Sequence, residues 1–492
     1  MSQENHYRVR FAPSPTGHVH LGSARTALYD YLIAKQTQGQ FILRIEDTDR
    51  KRLVEGAEEE LMNSMRWLGI DWDEGPDKGG PYGPYRQSER KEIYQKFAHE
   101  LIEKDMAYYC FCSSERLSKV RQEKQKDKQL PHYDGFCRNL NKAEAEERVK
   151  NGEPHVIRFK SPKQGTTVVH DLLRGDIVFE NANLDDFILV KSDGWALYHL
   201  AAIVDDYLMK VTHVIRGSEW LPTSPLHSLI WQAFGWKEPV WVHLSVFLKP
   251  SGKGKMSKRE AADLSNDGYS IFIKDLEDLG YLPEAVINWV ALMGWSYDDH
   301  TEFFTLDDLV EKFSLEKLNP SPAAINFSKL DYFNKQHIKV LDDTDLGGRI
   351  QPFFEKAGYN VTIKDMEAIA PLVRDRITTL DDSVEKCAFL FKNSITHAPE
   401  SLAIEGKTSQ ETHRIGEGAL NVINRVSDWT IAVLEEKLTD YMNQNELTPK
   451  EFFSFLREAI SGQRATPPLF DCMQVLGKER TIQRVEESLK LI

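Results

Sequence analysis

Two segments of the chain hold residue types suited to phosphate chemistry. In PSPTGHVHLGS (Pro13–Ser23), His20 and Gly22 fall where an alternating strand pattern gives way to a helical one. A glycine there lets a nucleotide approach the backbone, a helix amino end favours anionic oxygens, and an imidazole can donate to one of them. Farther on, LKPSGKGKMSKRE (Leu248–Glu260) gathers Lys249, Lys253, Lys255, Lys258 and Arg259 in a glycine-containing stretch with no acidic residue before Glu260. Ammonium groups on such a loop suit a pyrophosphate that gains charge as it leaves. Each segment alone has a plainer reading, a turn histidine or a solvated basic loop. Neither matches G-x-x-x-x-G-K-[ST], and SGKGKMSKRE lacks the third glycine of G-x-G-x-x-G, so neither a P-loop ATPase nor a typical dinucleotide oxidoreductase is supported.

A third cluster is made of sulfur. Cys110 and Cys112 stand one residue apart in CFC, and Cys137 follows in YDGFCRN; Cys387 and Cys472 lie far off. Five cysteines in a chain this long do not form a disulfide framework. Three close together suit zinc, which prefers four ligands, or buried thiols.

The elements that must position these residues follow from periodicity. Tyr7, Val9 and Phe11 alternate with Arg8 and Arg10 as in a strand, and Pro13–Gly17 breaks the run. Ser23–Gln36 reads as a helix ended by Gly39, and Gln40–Asp47 returns to strand. This is the start of a parallel βαβ unit, which binds nucleotides at the carboxyl ends of its strands. From about residue 95 to 195 a lysine-rich run, Lys119–Lys128, precedes β-rich segments such as TTVVHDLL and DDFILVKSD, as in an inserted subdomain. The α/β pattern resumes near Trp195 with YHLAAIVDDYLM, HVIRGSEW and SPLHSLIWQAFGW. Beyond Ile271 strands become scarce; Leu282–Met293, Ala419–Leu434 and Lys450–Ile460 read as helices.

Composition bounds the function. At 492 residues the chain is long enough for about three or four domains. Hydrophobic residues at 41% and charged residues at 28% describe a folded globular protein. A net charge of −14 argues against a uniformly basic surface that coats nucleic acid, but leaves room for one basic site. The longest apolar run, Val286–Tyr297, falls short of the roughly 20 residues of a bilayer span. With no apolar leader pattern in MSQENHYRVRFAP, the expectation is a cytoplasmic protein.

Taken together, HLGS (His20–Ser23) and KMSKR (Lys255–Arg259) resemble the two signature motifs of the class I aminoacyl-tRNA synthetases. RFAPSPTG, ARTALYDYL, RIEDTDR, GPYRQSER, YHLAAIVDD and HVIRGSEW, in this order, are similar to the bacterial glutamyl-tRNA synthetases within that class. The resemblance implies a multidomain α/β fold: a Rossmann-like parallel sheet in two halves (1–94 and 196–250), an α+β insertion that binds the acceptor end (95–195), a KMSKR and stem-contact region (251–340) and an all-α anticodon-binding domain (341–492). It implies ATP-dependent activation of glutamate, with Mg²⁺, and transfer to the terminal adenosine of tRNA(Glu), with tRNA(Gln) as a second acceptor in some bacteria. Adenylation is implied to wait for bound tRNA.

Site residues carried over by motif are His20, Gly22 and Lys258 for ATP, with Lys255 and Lys258 on the pyrophosphate. Arg10 and Arg216 are carried over for the glutamate carboxylates, Tyr198 for a hydroxyl contact, and Ser14 and Glu46 for the ammonium. Glutamate, with two carboxylates and one ammonium, needs such cationic and anionic partners held apart. Ala202 departs from the family, many members of which carry asparagine there. In the cysteine segment, Tyr133 with Cys110, Cys112 and Cys137 is the implied zinc set; Asn139 stands where other members have histidine. In LVRDRITTL, Arg376, before Arg374, is the implied anticodon reader. The resemblance also implies a monomer. Glutaminyl-tRNA synthetase shares the amino-terminal motifs, but would end in β-barrels. A paralogue that glutamylates queuosine in tRNA would lack the last 150 residues or so, and an inactive tRNA-binding relative would not need intact HLGS and KMSKR.

Overall fold

The computed structural model describes residues 6–128, 130–254, 264 and 269–492. The chain forms two compact units, one of Met1–Leu276 with Val286–Phe327, the other of Glu277–Ala285 with Ser328–Ile492.

The first unit begins as the periodicity predicts. Strand β1 (Arg8–Phe11), helix α1 (Leu21–Gln36) and strand β2 (Gln40–Leu43) form a βαβ unit whose two strands are parallel neighbours, with Arg8 opposite Gln40 and Phe11 opposite Leu43. Gly39 is required at the turn, because a Cβ there would overlap the Tyr7 carbonyl oxygen. Helix α1 starts two residues earlier than the pattern suggests. His20 is its cap: Nδ1 accepts from the N–H groups of Gly22 (3.0 Å) and Ser23 (3.4 Å), the second of which also donates to the His20 carbonyl (2.9 Å).

After helices α2 (Ala57–Trp67) and α3 (Lys91–Glu103), strands β3 (Ala107–Cys110), β4 (Val156–Phe159) and β7 (Ile188–Val190) make a three-stranded antiparallel sheet, with α4 (Ser114–Lys126) and α5 (Lys142–Lys150) between β3 and β4. The lysine-rich run is therefore largely helical. The rest of this segment behaves differently. Hairpin strands β5 (Thr166–Asp171) and β6 (Gly175–Glu180) leave the β3–β4–β7 sheet, and β5 pairs in parallel with β9 (Val240–Leu244). Helices α6 (Tyr198–Leu208) and α7 (Ser224–Phe234) flank β8 (His213–Gly217), which pairs in parallel with β9 and sets Arg216 opposite His243. The order β6–β5–β9–β8 continues to β1, where the Thr212 N–H donates to the Arg8 carbonyl (2.8 Å). The result is a mixed, mainly parallel sheet. Short strands β10 (Phe247–Leu248) and β11 (Ala323–Ala324) pair in parallel nearby in sequence to the basic segment.

The second unit is helical among its described residues. Threonine caps at Thr362, Thr408 and Thr448 each form a reciprocal capping box with Asp365, Glu411 or Glu451. Gly416 lets helix Ser409–Arg425 lie close to Phe455 and Leu489, which a Cβ would strike. The single helix expected over Ala419–Leu434 is two: one ends at Arg425 and the next runs Ile431–Gln444. Lys478 Nζ takes the free carbonyls of Asn424 (2.9 Å) and Val426 (2.6 Å), and Trp429 Nε1 donates to the Met473 carbonyl (3.0 Å). Tertiary partners thus replace the helical bonds that the sequence pattern would have continued.

Candidate active site

Arg10 projects from β1, and Arg44 and Glu46 follow β2. Asp205 and Asp206 come from the carboxyl half of α6. All five are buried, and they meet as one charge network. Asp206 Oδ1 accepts from Arg10 Nε (3.0 Å) and Arg44 Nη1 (2.7 Å); Arg44 Nη2 reaches Glu46 Oε1 (3.1 Å). Asp205 is held by Arg90 Nε (2.7 Å), Gln87 Nε2 (2.9 Å) and the Tyr94 hydroxyl (2.8 Å). Burial works against the charge on Asp206, but Arg10 and Arg44 outweigh it and hold the carboxyl below its usual range. Glu46 goes the other way. Burial pushes it up to about 7 against the pull of Arg44 and Arg10, so its carboxylate calls for a further cation. Ser14, exposed, sits between Pro13, whose carbonyl accepts from the Glu46 N–H (2.9 Å), and Pro15.

Arg216, on β8, is buried in a different setting. Its Nε donates to His243 Nε2 (3.0 Å), and its Nη1 lies 2.9 Å from His227 Nδ1 and 3.5 Å from the Tyr198 hydroxyl. Nη2 is buried without a hydrogen-bond partner among the described residues. Burial depresses the basicity of all three neighbouring histidines, His199 to about 4, so these imidazoles are neutral. The guanidinium therefore carries a charge that no contacting side chain cancels. Tyr198 opens α6 and its ring rests 4.4 Å from Trp220. Ala202, one turn on, is buried.

Arg10, Glu46, Tyr198 and Arg216 are thus brought together, with Arg10 acting electrostatically on both Glu46 and Arg216. His20 and Gly22 lie at the amino end of α1, after the turn that leaves β1. A Cβ on Gly22 would come 2.9 Å from His20 Cε1, so glycine is what lets the imidazole fold over the helix end. Lys255 and Lys258 lie outside the described residues. The chain beyond them returns to HLGS: Leu21 N–H donates to the Ile271 carbonyl (2.8 Å) and Ile273 N–H to the Val19 carbonyl (2.9 Å). On the other flank Arg25 stacks on Phe247, 4.0 Å from the ring centre. These backbone bonds hold the Ile271–Ile273 segment against the start of α1.

Sequence reasoning missed the second layer. Arg44, Asp205, Asp206, His227, His243 and Asp171 carry no motif signal beyond lying inside matched segments or strands.

In the β3–β4–β7 region the three thiols of Cys110, Cys112 and Cys137 lie within 4.8 Å of one another, with Cys112 and Cys137 Sγ 3.6 Å apart. The Tyr133 hydroxyl is 3.4 Å from both Cys110 and Cys112 Sγ and accepts from the Cys137 N–H (2.8 Å). Around tetrahedral zinc, Zn–S bonds of about 2.3 Å put sulfurs roughly 3.8 Å apart, so this donor set fits. Arg116 donates to Cys112 Sγ (3.3 Å) and Arg158 sits 4.2 Å over the Tyr133 ring. Hydrogen bonding from Cys137 holds the Cys110 thiol well below its usual range.

In the helical unit, Arg374 is half-buried and ion-paired with Asp343, whereas Arg376 is exposed, with Nη1 donating to the Leu372 carbonyl (3.2 Å).

Residues 6–332 match the family described as tRNA synthetases class I (E and Q), catalytic domain, and residues 345–489 match the anticodon binding domain. A glutamate–tRNA ligase of Dehalococcoides mccartyi is 42% identical over 487 residues, covering 98% of this chain and 96% of that protein. One of Borrelia recurrentis is 41% identical over 98% of this chain and 95% of its own length. A crystal structure of a glutamate tRNA ligase from Elizabethkingia meningosepticum in complex with its amino acid superimposes with a TM-score of 0.90 at 35% identity, over 99% of both chains. The chain belongs to the class I tRNA synthetases of the glutamyl and glutaminyl family.

Proposed function

We propose that the chain is a glutamate–tRNA ligase, activating L-glutamate with ATP and transferring it to tRNA(Glu). The observation that carries this reading is buried Arg216, cationic among neutral partners and with Nη2 unmatched, a site made for the side-chain carboxylate that distinguishes glutamate from glutamine. In the reading, Arg10 and Tyr198 complete the contacts to the carboxylates, and Glu46 with Ser14 receives the ammonium.

A glutamate α-carboxylate oxygen attacks the α-phosphorus of ATP, forming the acyl–phosphate bond as the bond to pyrophosphate breaks. A ribose hydroxyl of the terminal adenosine then attacks the acyl carbon and AMP leaves. No side-chain nucleophile is needed. The protein orients the reactants and stabilises charge. His20, whose Nδ1 is committed to the helix end, presents its Nε2 side, 3.3 Å from Ser23 Oγ, toward phosphate; Gly22 clears the approach, and Lys255 and Lys258 serve the departing pyrophosphate. Mg²⁺ arriving with ATP supplies neutralisation of phosphate charge.

The second helical unit supports an anticodon role with Arg376 as a reader, and 95–195 supports contacts to the acceptor end. The division 1–94, 95–195, 196–250, 251–340 and 341–492 remains part of the proposal, as does a cytoplasmic monomer. Among the described residues no helix is long and apolar enough to cross a membrane. Cys110, Cys112, Tyr133 and Cys137 are proposed to hold one structural Zn²⁺; purified protein prepared without chelator is expected to contain about one zinc per chain by elemental analysis.

The test is ATP-dependent charging of purified tRNA(Glu) and tRNA(Gln) with labelled glutamate or glutamine. Glutamate on tRNA(Glu) is the expected product, and glutamate on tRNA(Gln) would mark a broader enzyme. Glutamine charging without glutamate charging, or no charging at all, refutes the reading.

A further inference from the structure

Three adjacent strands each contribute one side chain to a continuous row. β8 supplies Arg216, β9 the His243 directly opposite it, and β5 Asp171. Asp171 is buried and fully used: Oδ2 accepts from the His243 backbone N–H (3.0 Å) and Nδ1 (2.7 Å), and Oδ1 from the N–H groups of Leu173 (3.1 Å) and Arg174 (3.0 Å). With four donors around it, this carboxylate has both oxygens engaged as acceptors and is fixed in direction. The proton of His243 is therefore on Nδ1. Its Nε2 lone pair faces the Nε–H of Arg216, the only pairing these three groups allow.

On the other side of the guanidinium the same logic runs through α6 and α7. His227 Nδ1 faces Arg216 Nη1 and must accept, so its proton is on Nε2, which lies 3.0 Å from His199 Nδ1. Both His227 and His243 are 0% exposed. Arg10, Arg44 and Arg90 are each bound directly to a carboxylate of Asp205 or Asp206. Arg216 is bound to imidazoles. A carboxylate in place of either imidazole would orient the guanidinium equally well, but would neutralise it.

We propose that His243 and His227 are positioning residues that hold Arg216 through neutral acceptors, leaving its charge to the side-chain carboxylate of the bound amino acid, and that Asp171 fixes the His243 tautomer this requires. The inference rests on the reading of Arg216 as the side-chain carboxylate anchor. It locates the preference for glutamate over glutamine partly in β5 and β9, away from the residues that touch the substrate.

Full-length His243→Leu, His243→Gln, Asp171→Asn and Arg216→Gln proteins are assayed by tRNA-dependent ATP–pyrophosphate exchange. KM for glutamate, KM for ATP and the glutamate-over-glutamine ratio of kcat/KM are read separately. His243→Leu is expected to raise KM for glutamate about 10- to 100-fold, the effect of losing one hydrogen bond to a charged group, with KM for ATP within about twofold and a lower glutamate preference. His243→Gln, with an amide oxygen for Arg216, is expected to recover to within about fivefold. Asp171→Asn, which releases the tautomer without changing shape, should also raise KM for glutamate and decides the matter if the leucine variant does not fold. Unchanged KM for glutamate in Asp171→Asn, a parallel rise in KM for ATP, or glutamine no better than a folded leucine variant overturns the inference. Arg216→Gln separates the levels. If it leaves KM for glutamate unchanged, the anchoring role itself fails; if it raises KM while the Asp171 and His243 variants do not, only the positioning role fails.

Discussion

The charge state of Glu46 is expected to make the proposed site sensitive to pH near neutrality. Burial raises this carboxyl to about 7, with Arg44 and Arg10 limiting the rise. As the proposed receiver of the substrate ammonium it works ionised. For a group titrating at about 7, the ionised fraction is about 0.9 at pH 8 and about 0.09 at pH 6, so kcat/KM for glutamate in the free enzyme should fall about tenfold across that interval. The neighbouring histidines do not supply this inflection, because His199 is depressed to about 4 and burial lowers His227 and His243 as well. The assay is pyrophosphate exchange with tRNA and ATP saturating, glutamate below its KM, from pH 5.5 to 8.5. Glu46→Gln is expected to be less active and flat across this range. Stability should move in the opposite sense to activity. Between the ordinary value of 4.5 and about 7 the folded state binds more protons at Glu46 than the unfolded chain, so this residue's contribution to stability falls as pH rises through that window and is level above it. A flat wild-type profile, or the same inflection retained in Glu46→Gln, refutes the assignment.

Asp206→Asn leaves two buried arginines facing an uncharged amide. The loss should be about 3–5 kcal/mol, roughly 4–8 °C on the melting transition of the catalytic unit, read by calorimetry. Gly22→Ala puts a methyl against His20 Cε1 and should raise KM for ATP while leaving KM for glutamate within about twofold, measured in the exchange assay. Arg376→Ala should weaken tRNA in the charging assay by about 1–3 kcal/mol, roughly 5- to 150-fold in KM for tRNA; Arg374→Ala, whose guanidinium is already tied to Asp343, should cost less.

What could be read from the chain alone depended on how local the cause was. The β1–α1–β2 unit was legible because alternation, a proline–glycine break and helical spacing all lie within forty residues. Arg10 and Glu46 were legible through their motifs, but periodicity could not say that Arg10 would be buried. Its partner Asp206 is 196 positions away and is found only by folding. His243 and Asp171 are joined by sheet pairing across 72 positions, with no spacing rule to link them. The break at Val426–Thr430 was invisible because an apolar stripe continues through it, while Lys478 and Trp429 supply the bonds that make the interruption affordable.

The pairing of β5 with β9 and of β1 with the Thr212 turn has a consequence for synthesis. Strand β1 leaves the ribosome first, yet the neighbour on its open edge arrives some 200 residues later, and β9 later still. At about 5–20 residues per second this is an interval of roughly 10–50 s. Throughout it the β1–β2 pair carries an uncovered hydrogen-bonding edge, the feature that invites wrong partners. The region between the two halves cannot be cut out as a cassette either, since removing it takes β5 from the sheet and Asp171 from His243. A nascent chain of this protein is therefore expected to depend on holdase chaperones until β9 has emerged, and fragments ending before Leu244 should aggregate.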